Sequence, residues 1–215
     1  MTRCHNSEVV VDKRAENREK ALRELQHLEV LLLDGHFDYG NGYHGRCYIN
    51  PHALFRHPST IWRFAQDLLD LLPTDLLQSA EIVVGPATGG ALLAHTIAGL
   101  LDSRRALTHP ASSFAPVHID KDGFSIRPYY VQQIKGKRVL LADDVRNTGQ
   151  TLATCAQLVK EAGGTVIGTM EIYDRLESTA EIGVPNFALA EYRAPENYKA
   201  AACPLCARKV PITRF

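Results

Sequence analysis

The sequence predicts an α/β protein in which a central parallel sheet is flanked by helices. Two short apolar runs, Glu81–Val84 and Val139–Ala142, have the length and composition of buried strands. Each run is followed by a turn that contains glycine and then by a helical pattern of apolar residues. Strand, glycine turn and helix in recurring order are typical of βαβ units, which build parallel sheets.

Three helices are predicted from apolar residues that recur with helical spacing, and they cover Arg14–Leu32, Ser59–Leu72 and Thr148–Ala162. The second lies between Pro58 and Pro73, and proline commonly marks the beginning and the end of a helix. The third is followed by two glycines, which favour the left-handed conformation that closes a helix. Each helix therefore has an apolar face to bury.

Two more apolar runs, Thr165–Tyr173 and Phe187–Ala190, are expected to extend the sheet. The stretch Gly35–Ala53 is rich in Gly, Tyr and His and is expected to form a hairpin or small lobe outside it. The stretch Pro110–Gln133 has alternating apolar residues that suit strands beside an exposed loop. The predicted organisation is an N-terminal helical segment 1–34, a small lobe 35–57, an α/β core 58–193 and a C-terminal tail 194–215.

Charge and composition exclude several classes of protein. The 215 residues include 24 Lys and Arg against 24 Asp and Glu, so the formal net charge is zero. A nucleic-acid binder normally has a basic excess, so no such partner is expected. The longest apolar run is about four residues, too short for a signal peptide or a membrane span. Five cysteines without a secretion signal predict reduced thiols and a cytoplasmic protein.

The most informative stretch is residues 139–151, VLLADDVRNTGQT. A buried strand is expected to end at Ala142, with Asp143 and Asp144 directly after it, and a loop of small polar residues then opens a helix. Ligands of parallel sheets bind beyond the carboxyl ends of the strands, and the first N–H groups of a helix bind phosphate. The stretch therefore predicts a site for a phosphate monoester, with one or both acids bound to ribose hydroxyls or to hydrated Mg²⁺.

An alternative interpretation is that the acids only cap the next helix, although capping requires one acid rather than two. The stretch resembles the phosphoribosyl diphosphate (PRPP) signature of the type I phosphoribosyltransferases, with Asn147 where that family usually has Thr or Ser. The resemblance implies the fold of that family, Mg²⁺ as cofactor, and a catalytic role for Asp143 and Asp144 in holding ribose hydroxyls directly or through the metal. It also implies a 5′-phosphate loop formed by Arg146, Asn147, Thr148, Gly149, Gln150 and Thr151.

Residues 82–94, IVVGPATGGALLA, repeat the order of strand, tight turn and helix. Gly85, Gly89 and Gly90 are expected to allow unusual dihedral angles, and Thr88 offers a hydroxyl. The alternative is that this turn only connects the strand to the helix and binds no ligand. Beside the first motif it resembles the pyrophosphate loop of the orotate branch of the family, with Thr88 where some members have Lys. The resemblance implies that pyrophosphate is bound by Ala87, Thr88, Gly89 and Gly90.

Residues 36–58 resemble the N-terminal hood of the same branch, although Asn41, Gly42 and Gly45 replace part of its pattern. Tyr48 can supply an aromatic wall for a flat base. The alternative is that the aromatic residues of this lobe pack only on the sheet.

Residues 171–177, EIYDRLE, resemble the Asp-Arg-x-Glu motif of the orotate branch, in which the Arg contacts the base. Orotate carries a carboxylate, which a guanidinium matches with two hydrogen bonds. The resemblance therefore implies Arg175 as the residue that sets base specificity. The alternative is a surface Arg paired with Asp174 or Glu177.

The resemblance also implies a mobile, cation-rich loop that closes over the diphosphate, often from the neighbouring subunit of a homodimer. The matching residues 109–127 contain few cations, and Lys121 is the one expected to assist catalysis. The alternative is a solvated charge in a turn.

The tail contains Cys203 and Cys206 in a CxxC motif that resembles a short motif of some orotate enzymes. One CxxC supplies half of a zinc site at most, and no second CxxC or His pair lies close in sequence. No metal is therefore expected here from the sequence, although a structural or adventitious ion stays open.

Together these motifs predict a Mg²⁺-dependent phosphoribosyltransferase, a glycosyltransferase that joins PRPP to a nucleobase. Orotate is the favoured base, which would give orotidine 5′-monophosphate and pyrophosphate in pyrimidine biosynthesis. The small number of cations in residues 109–127 and the altered hood pattern leave two alternative functions open. One is the same chemistry on another base, and the other is a PRPP-binding regulator without turnover.

Overall fold

The computed structural model of the chain describes residues 5–40, 42–105, 109–194 and 197–214, without the side chains of residues 5–14 and of His52. Asn41, one of the hood positions considered above, lies outside the described residues. The helices are α1 His5–His27, α2 Pro51–Leu54, α3 Pro58–Leu71, α4 Thr74–Ser79, α5 Gly89–Ser103, α6 Pro128–Ile134, α7 Gln150–Glu161 and α8 Pro204–Ala207, with a short 3₁₀ turn at Ala200–Ala202. The strands are β1 Leu31–Leu32, β2 Phe37–Asp38, β3 Tyr43–Gly45, β4 Tyr48–Ile49, β5 Ile82–Pro86, β6 Ser113–Asp120, β7 Gly123–Ser125, β8 Arg138–Arg146, β9 Thr165–Asp174, β10 Asn186–Glu191 and β11 Tyr198–Lys199.

The central sheet has six strands in the order β10-β9-β8-β5-β6-β7. Its strands are parallel except for β7, which forms an antiparallel hairpin with β6. After β5, the chain places β6 on one side of it and β8 on the other. In parallel sheets such a reversal of strand order opens a crevice at the carboxyl ends of the strands. The topology therefore places a crevice beyond β5 and β8.

The predicted fold class is confirmed. Helices α3 and α7 lie within two residues of the predicted Ser59–Leu72 and Thr148–Ala162, and all four predicted strands are present. The stretch Gly35–Ala53 lies outside the central sheet as expected, because its strands form two small sheets instead. One pairs β1 with β4, and the other has the order β11-β3-β2.

The N-terminal helix differs from the predicted Arg14–Leu32. It begins at His5 and ends at His27, because Glu29 adopts a left-handed conformation with φ of 57° that no helix continues. Leu31–Leu32 then forms a strand with β4. Leu25 of the predicted apolar stripe is nevertheless fully buried.

Two other expectations were wrong in detail. The strand expected to end at Ala142 continues to Arg146, because pairing with β9 holds it extended as far as Arg146 opposite Asp174. Residues 128–134 form helix α6 rather than a strand, with Pro128 in the first turn, where its fixed φ favours a helix.

The core occupies both faces of the central sheet. Alternation along β5 and β8 sends Val83 and Leu140 to the face covered by α3 and α5, and Val84 and Leu141 to the face covered by α7. All four side chains are fully buried. Because both faces of these strands are buried, their sequences are continuous apolar runs rather than alternating apolar and polar residues. In the part of the chain that the structure describes, no helix combines the length and apolar character needed to cross a membrane.

The small sheets form a hood that is joined to the C-terminal segment. Strand β11 pairs with β3, and the Thr213 N–H donates to the His36 carbonyl at 2.8 Å. The Asp38 N–H in turn donates to the Thr213 carbonyl at 3.1 Å. The C-terminal segment is thus part of the hood rather than a separate tail in space.

Gly85 is the point at which β5 lies closest to its neighbours. A Cβ atom on Gly85 would lie 2.2 Å from the Gly90 carbonyl oxygen and 2.8 Å from that of Ala142. Both atoms are backbone, so Gly85→Ala should lower the free energy of unfolding by about 2 kcal/mol or more. Gly99→Ala is the matched control, because a Cβ at this exposed position of α5 meets nothing within 4 Å. That variant should gain about 0.5–1 kcal/mol. Urea unfolding measures both, and equal stabilities would contradict the close approach at Gly85.

Glu171 is a buried carboxyl in β9. Its Oε1 accepts a hydrogen bond from the Asn186 amide at 2.6 Å, while its Oε2 is buried with no hydrogen-bond partner among the described residues. Burial raises the pKa of Glu171 from 4.5 to about 8. The unfolded chain therefore releases this proton at a lower pH than the folded protein does. The stability that depends on the protonated form is complete below about pH 4.5 and is lost as the pH rises to about 8.

Glu171→Gln cannot ionise and should remove this loss. Between about pH 5 and about pH 8 the wild type should lose on the order of 2–4 kcal/mol of unfolding free energy relative to the variant. Urea unfolding across this pH range measures the difference. Glu181→Gln, at an exposed position, is the control and should parallel the wild type. Parallel curves for Glu171→Gln and the wild type would show that the Glu171 carboxyl ionises normally in the fold.

Candidate active site

The crevice at the carboxyl ends of β5 and β8 is a cleft of about 840 Å³, walled on one side by the hood. A second cavity of about 110 Å³ adjoins it at the loop between β8 and α7. The larger volume suits a small-molecule site. The predicted site residues other than Lys121 line one or both of these cavities.

Asp143 and Asp144 lie near the end of β8 and have different surroundings. Asp143 is 6% exposed and lines both cavities, whereas Asp144 is half-buried and lines only the larger one. Asp143 Oδ1 accepts the Asp144 N–H at 2.9 Å, and Asp144 Oδ1 accepts the Val145 N–H at 2.8 Å. Burial, and next the adjacent Asp144 carboxylate, raise the pKa of Asp143 well above its ordinary value. The two acids are therefore not equivalent.

The loop 146–151 is shaped by Gly149, which has φ of 76° and is the N-cap residue of α7. A Cβ atom there would also lie 2.5 Å from Ser178 Oγ. The N-cap position of α7 is taken by Gly149, which has no side chain to cap the helix, rather than by Asp143 or Asp144. The N–H groups of the first turn are thus directed at the cavity and suit an anion.

Residues of the segment that follows β9 support this loop. The Thr148 carbonyl accepts N–H groups from Thr179 at 3.0 Å and from Ala180 at 3.2 Å. The Arg146 guanidinium donates to Ser178 Oγ at 3.0 Å. The loop is therefore held from behind by the segment that follows β9.

The turn between β5 and α5 approaches the acids closely. A Cβ atom on Gly89 would lie 2.0 Å from Asp144 Oδ2, and one on Gly90 would lie 2.8 Å from Asp143 Oδ1. None of Gly85, Gly89 and Gly90 has a positive φ, so the expectation of unusual φ angles was wrong. These glycines are required for space instead. The Ala87–Thr88 peptide bond is cis, and Ala87 and Thr88 line the cleft.

Arg175 lines the cleft and also bonds within the protein. It donates to Asn147 Oδ1 at 3.3 Å and to Glu177 Oε1 at 3.2 Å. The pairing with Glu177 considered from the sequence is therefore present, and the guanidinium also forms part of the cleft wall, while its contact with a base stays a prediction. Tyr48 lines the same cleft beside Phe37, with ring centroids 5.8 Å apart.

Lys121 lies elsewhere. It is exposed in the turn between β6 and β7 and is not among the described residues that line either cavity. Its catalytic role stays a prediction.

The cleft contains residues that the sequence did not single out. Tyr39 and Asn197 line it, and the Tyr39 hydroxyl donates to the Cys47 carbonyl at 2.6 Å and lies 3.2 Å from Asn197 Oδ1. Burial is the main cause that raises the pKa of Tyr39. The only signal for Tyr39 was the aromatic content of the hood, and no signal marked Asn197.

Comparisons with known proteins agree with this geometry. A family model described as phosphoribosyl transferase domain matches residues 63–190. An orotate phosphoribosyltransferase of Erythrobacter litoralis is 30% identical over 197 residues, which cover 91% of this chain and 95% of that protein. The crystal structure of orotate phosphoribosyltransferase from Aeropyrum pernix has a TM-score of 0.59 at 25% identity, over 79% of this chain and 92% of that one. The structure of adenine phosphoribosyltransferase from Saccharomyces cerevisiae has the same fold, with a TM-score of 0.59 at 18% identity, over 80% and 99%.

The matched segment 63–190 covers more than half of the chain and contains both glycine loops and the acid pair. The segment thus includes the residues that form the floor of the cleft. The chain belongs to the phosphoribosyltransferase family of enzymes.

Proposed function

We propose that the protein transfers the phosphoribosyl group of PRPP to orotate, which gives orotidine 5′-monophosphate and pyrophosphate in pyrimidine biosynthesis. The observation that carries this proposal is the meeting, in one cleft, of the acid pair, both glycine loops and Arg175. The orotate phosphoribosyltransferases of Erythrobacter litoralis and Aeropyrum pernix support orotate as the base.

The two cavities divide the substrate between them. The smaller one takes the 5′-phosphate on the N–H groups of residues 147–151 and the hydroxyls of Thr148 and Thr151. The larger one takes the ribose beside Asp143 and Asp144, with the diphosphate against Ala87 to Gly90. The glycines at 89 and 90 allow the diphosphate to lie directly beside the acids.

The acids also fit the metal that the family implies. Their carboxylates are hard oxygen ligands in a water-accessible cleft, which is the donor type that Mg²⁺ prefers. Asp144, the more exposed acid, and Asp143 would hold it directly or through water. When bound, Mg²⁺ supplies positive charge that stabilises the departing diphosphate.

The reaction breaks the bond from the ribose C1 to the diphosphate oxygen and forms a bond from C1 to a ring nitrogen of the base. The electron pair of the first bond leaves with pyrophosphate, the base nitrogen supplies the new pair, and the proton of that nitrogen leaves to water or to the pyrophosphate. Positive charge develops on the ribose, so the negative charge of Asp144, and that of Asp143 when it is ionised, stabilises it as the bond breaks. Most of the remaining catalysis is positioning of the two substrates in one cleft.

Arg175 is the proposed partner of the base. A guanidinium pairs with the orotate carboxylate, and Tyr48 and Tyr39 provide aromatic walls for the ring. Because Arg175 also binds Asn147 Oδ1, it connects the base site to the phosphate loop.

One observation favours an acceptor base other than orotate. Glu177 lines the cleft and is 3.2 Å from Arg175, so its carboxylate opposes an anionic base. A heterocycle without a carboxylate is therefore the alternative acceptor. The position of Lys121 outside the cleft supports the other alternative, a PRPP-binding regulator without turnover.

We also propose a homodimer, as the family resemblance implies. In a dimer Lys121 would reach the diphosphate of the neighbouring cleft from the exposed turn between β6 and β7. Light scattering of the purified protein determines the mass, and a monomer would remove this role for Lys121.

Purified protein should release pyrophosphate from PRPP and Mg²⁺ in the presence of orotate, in an assay that also offers adenine, guanine, hypoxanthine and uracil. Asp144→Asn keeps the shape of the side chain but removes its charge, so kcat/KM should fall by about 100-fold or more. Asp70→Asn, an exposed acid of α3 that pairs with Arg104, is the control and should retain wild-type activity.

The assay separates the three functions. Release with orotate alone supports the proposal, and release only with another base selects the alternative acceptor. PRPP binding measured by calorimetry without release on any base would leave the regulator. An unchanged kcat/KM in Asp144→Asn would contradict the placement of PRPP beside the acids.

Arg175→Ala should raise the KM for orotate by about 10- to 100-fold, because the base carboxylate loses its charged partner. The KM for PRPP should change by less than about threefold. Arg138→Ala is the matched control, since Arg138 pairs with Glu81 at the opposite end of the sheet. Equal effects of Arg175→Ala on both substrates would argue against a contact with the base.

A further inference from the structure

Four side chains from opposite ends of the chain meet in the hood. His36, His44, Cys203 and Cys206 each direct one nitrogen or sulfur atom to a common centre, and these atoms all lie within 4.8 Å of one another. His36, His44 and Cys203 are buried and Cys206 is half-buried. The CxxC motif, which is half of a metal site in the sequence, is completed by two histidines more than 150 residues away.

Four of the six distances between ligand atoms of this Cys₂His₂ cluster are close to those of a tetrahedral site, and the other two lie within 4.8 Å. His36 Nε2 and His44 Nδ1 are 3.2 Å apart, and the Cys206 Sγ atom is 3.7 Å from the first and 3.3 Å from the second. The Cys203 Sγ atom is 3.5 Å from His36 Nε2. Tetrahedral zinc, with Zn–N of about 2.0 Å and Zn–S of about 2.3 Å, requires about 3.3 Å between nitrogens and about 3.5 Å between nitrogen and sulfur.

The surroundings of the outer ring nitrogens favour one tautomer of each histidine. His36 Nδ1 is 2.9 Å from the Val210 carbonyl oxygen, which can only accept, so this nitrogen carries the proton of the neutral ring. His44 Nε2 faces Asp38 Oδ1 at 3.9 Å, which favours a proton there as well. Both nitrogens that face the centre therefore present lone pairs 3.2 Å apart. Two buried lone pairs at this distance repel each other unless a cation, or the proton of a neighbouring thiol, lies beside them.

We propose that His36, His44, Cys203 and Cys206 bind one Zn²⁺ in a closed, structural site. Two thiolates and two neutral imidazoles are the donor set of tetrahedral zinc, and four protein ligands leave no open position for catalysis. The Val210 carbonyl and Asp38 complete the arrangement by orienting the rings from outside, as such partners do in zinc sites.

A bound ion would fasten the C-terminal segment to the hood. The backbone already joins them through two pairs of β11 and β3, but strands this short stabilise little by themselves. Tyr39 directly follows β2, and Asn197 directly precedes β11. Both residues line the cleft. The zinc would therefore hold the wall of the base site at a distance from the reacting atoms.

A Cys203–Cys206 disulfide is the competing use of this motif. It would remove two donors and leave the histidine lone pairs facing each other without a cation. Both cysteines are free thiols in the structure. The geometry thus favours metal over redox chemistry.

The first test is metal content. Protein purified without an affinity tag that binds metals should contain about one zinc per chain by mass spectrometry of the digested sample. Cys206→Ser, at the least buried ligand, should lose at least about nine-tenths of it. Cys155→Ala is the matched control, because Cys155 is a free buried thiol of α7 outside the cluster, and it should keep the zinc.

The second test uses wild-type protein, so it holds even if Cys206→Ser fails to fold. Replacement of zinc by Co²⁺ should produce the intense visible absorption of tetrahedral cobalt and a thiolate charge-transfer band. Removal of metal by a chelator should lower the Tm by several degrees. Wild-type protein without zinc, a weak octahedral cobalt spectrum, or a Cys203–Cys206 disulfide in freshly purified protein would each overturn the proposal. None of these readouts depends on the reaction that the enzyme catalyses.

Discussion

The site depends on the contact between the turn after β5 and the end of β8. Gly85 lies against the Gly90 and Ala142 carbonyls, while Gly89 and Gly90 lie against the two acids. Any side chain at these glycines would push the turn away from β8. Because β5 and β8 are adjacent parallel strands, this contact brings a phosphate-binding turn and a pair of carboxylates to one edge of the sheet. The loop after β8 and the residues after β9 are then placed by the same sheet.

The electrostatic design explains why a protein of zero net charge suits a highly charged substrate. The candidate phosphate sites use N–H groups, hydroxyls and the first turn of α7, which attract anions without formal charge. The formal charges in the cleft are few and opposed in sign. Asp143 and Asp144 lie in the part of the cleft proposed for the ribose, and Arg175 is shared between Glu177 and Asn147. In the proposed complex, formal charge is thus concentrated at the reacting centre and the base, while net charge says little about the ligand.

Patterns within the sequence predicted the fold and the floor of the site, because both depend on local order. Apolar runs and glycine turns identified β5, β8 and α7 to within a few residues. The errors have non-local causes. Strand β8 extends to Arg146 because β9 pairs with it, and the contacts of Gly89 with Asp144 join residues far apart in the chain. Tyr39 and Asn197 meet only after the two ends of the chain have come together.

The two halves of the cleft are consequently built in different ways. The half proposed to bind the phosphates belongs to a six-stranded sheet with core on both faces, whose local unfolding is costly. The half proposed to bind the base consists of strands of two or three residues, which have little core of their own. Small units of this kind generally need a staple such as a metal ion. A hood held by a few distant contacts can change its lining residues without disturbing the sheet, so base specificity can vary while the phosphoribosyl site is kept.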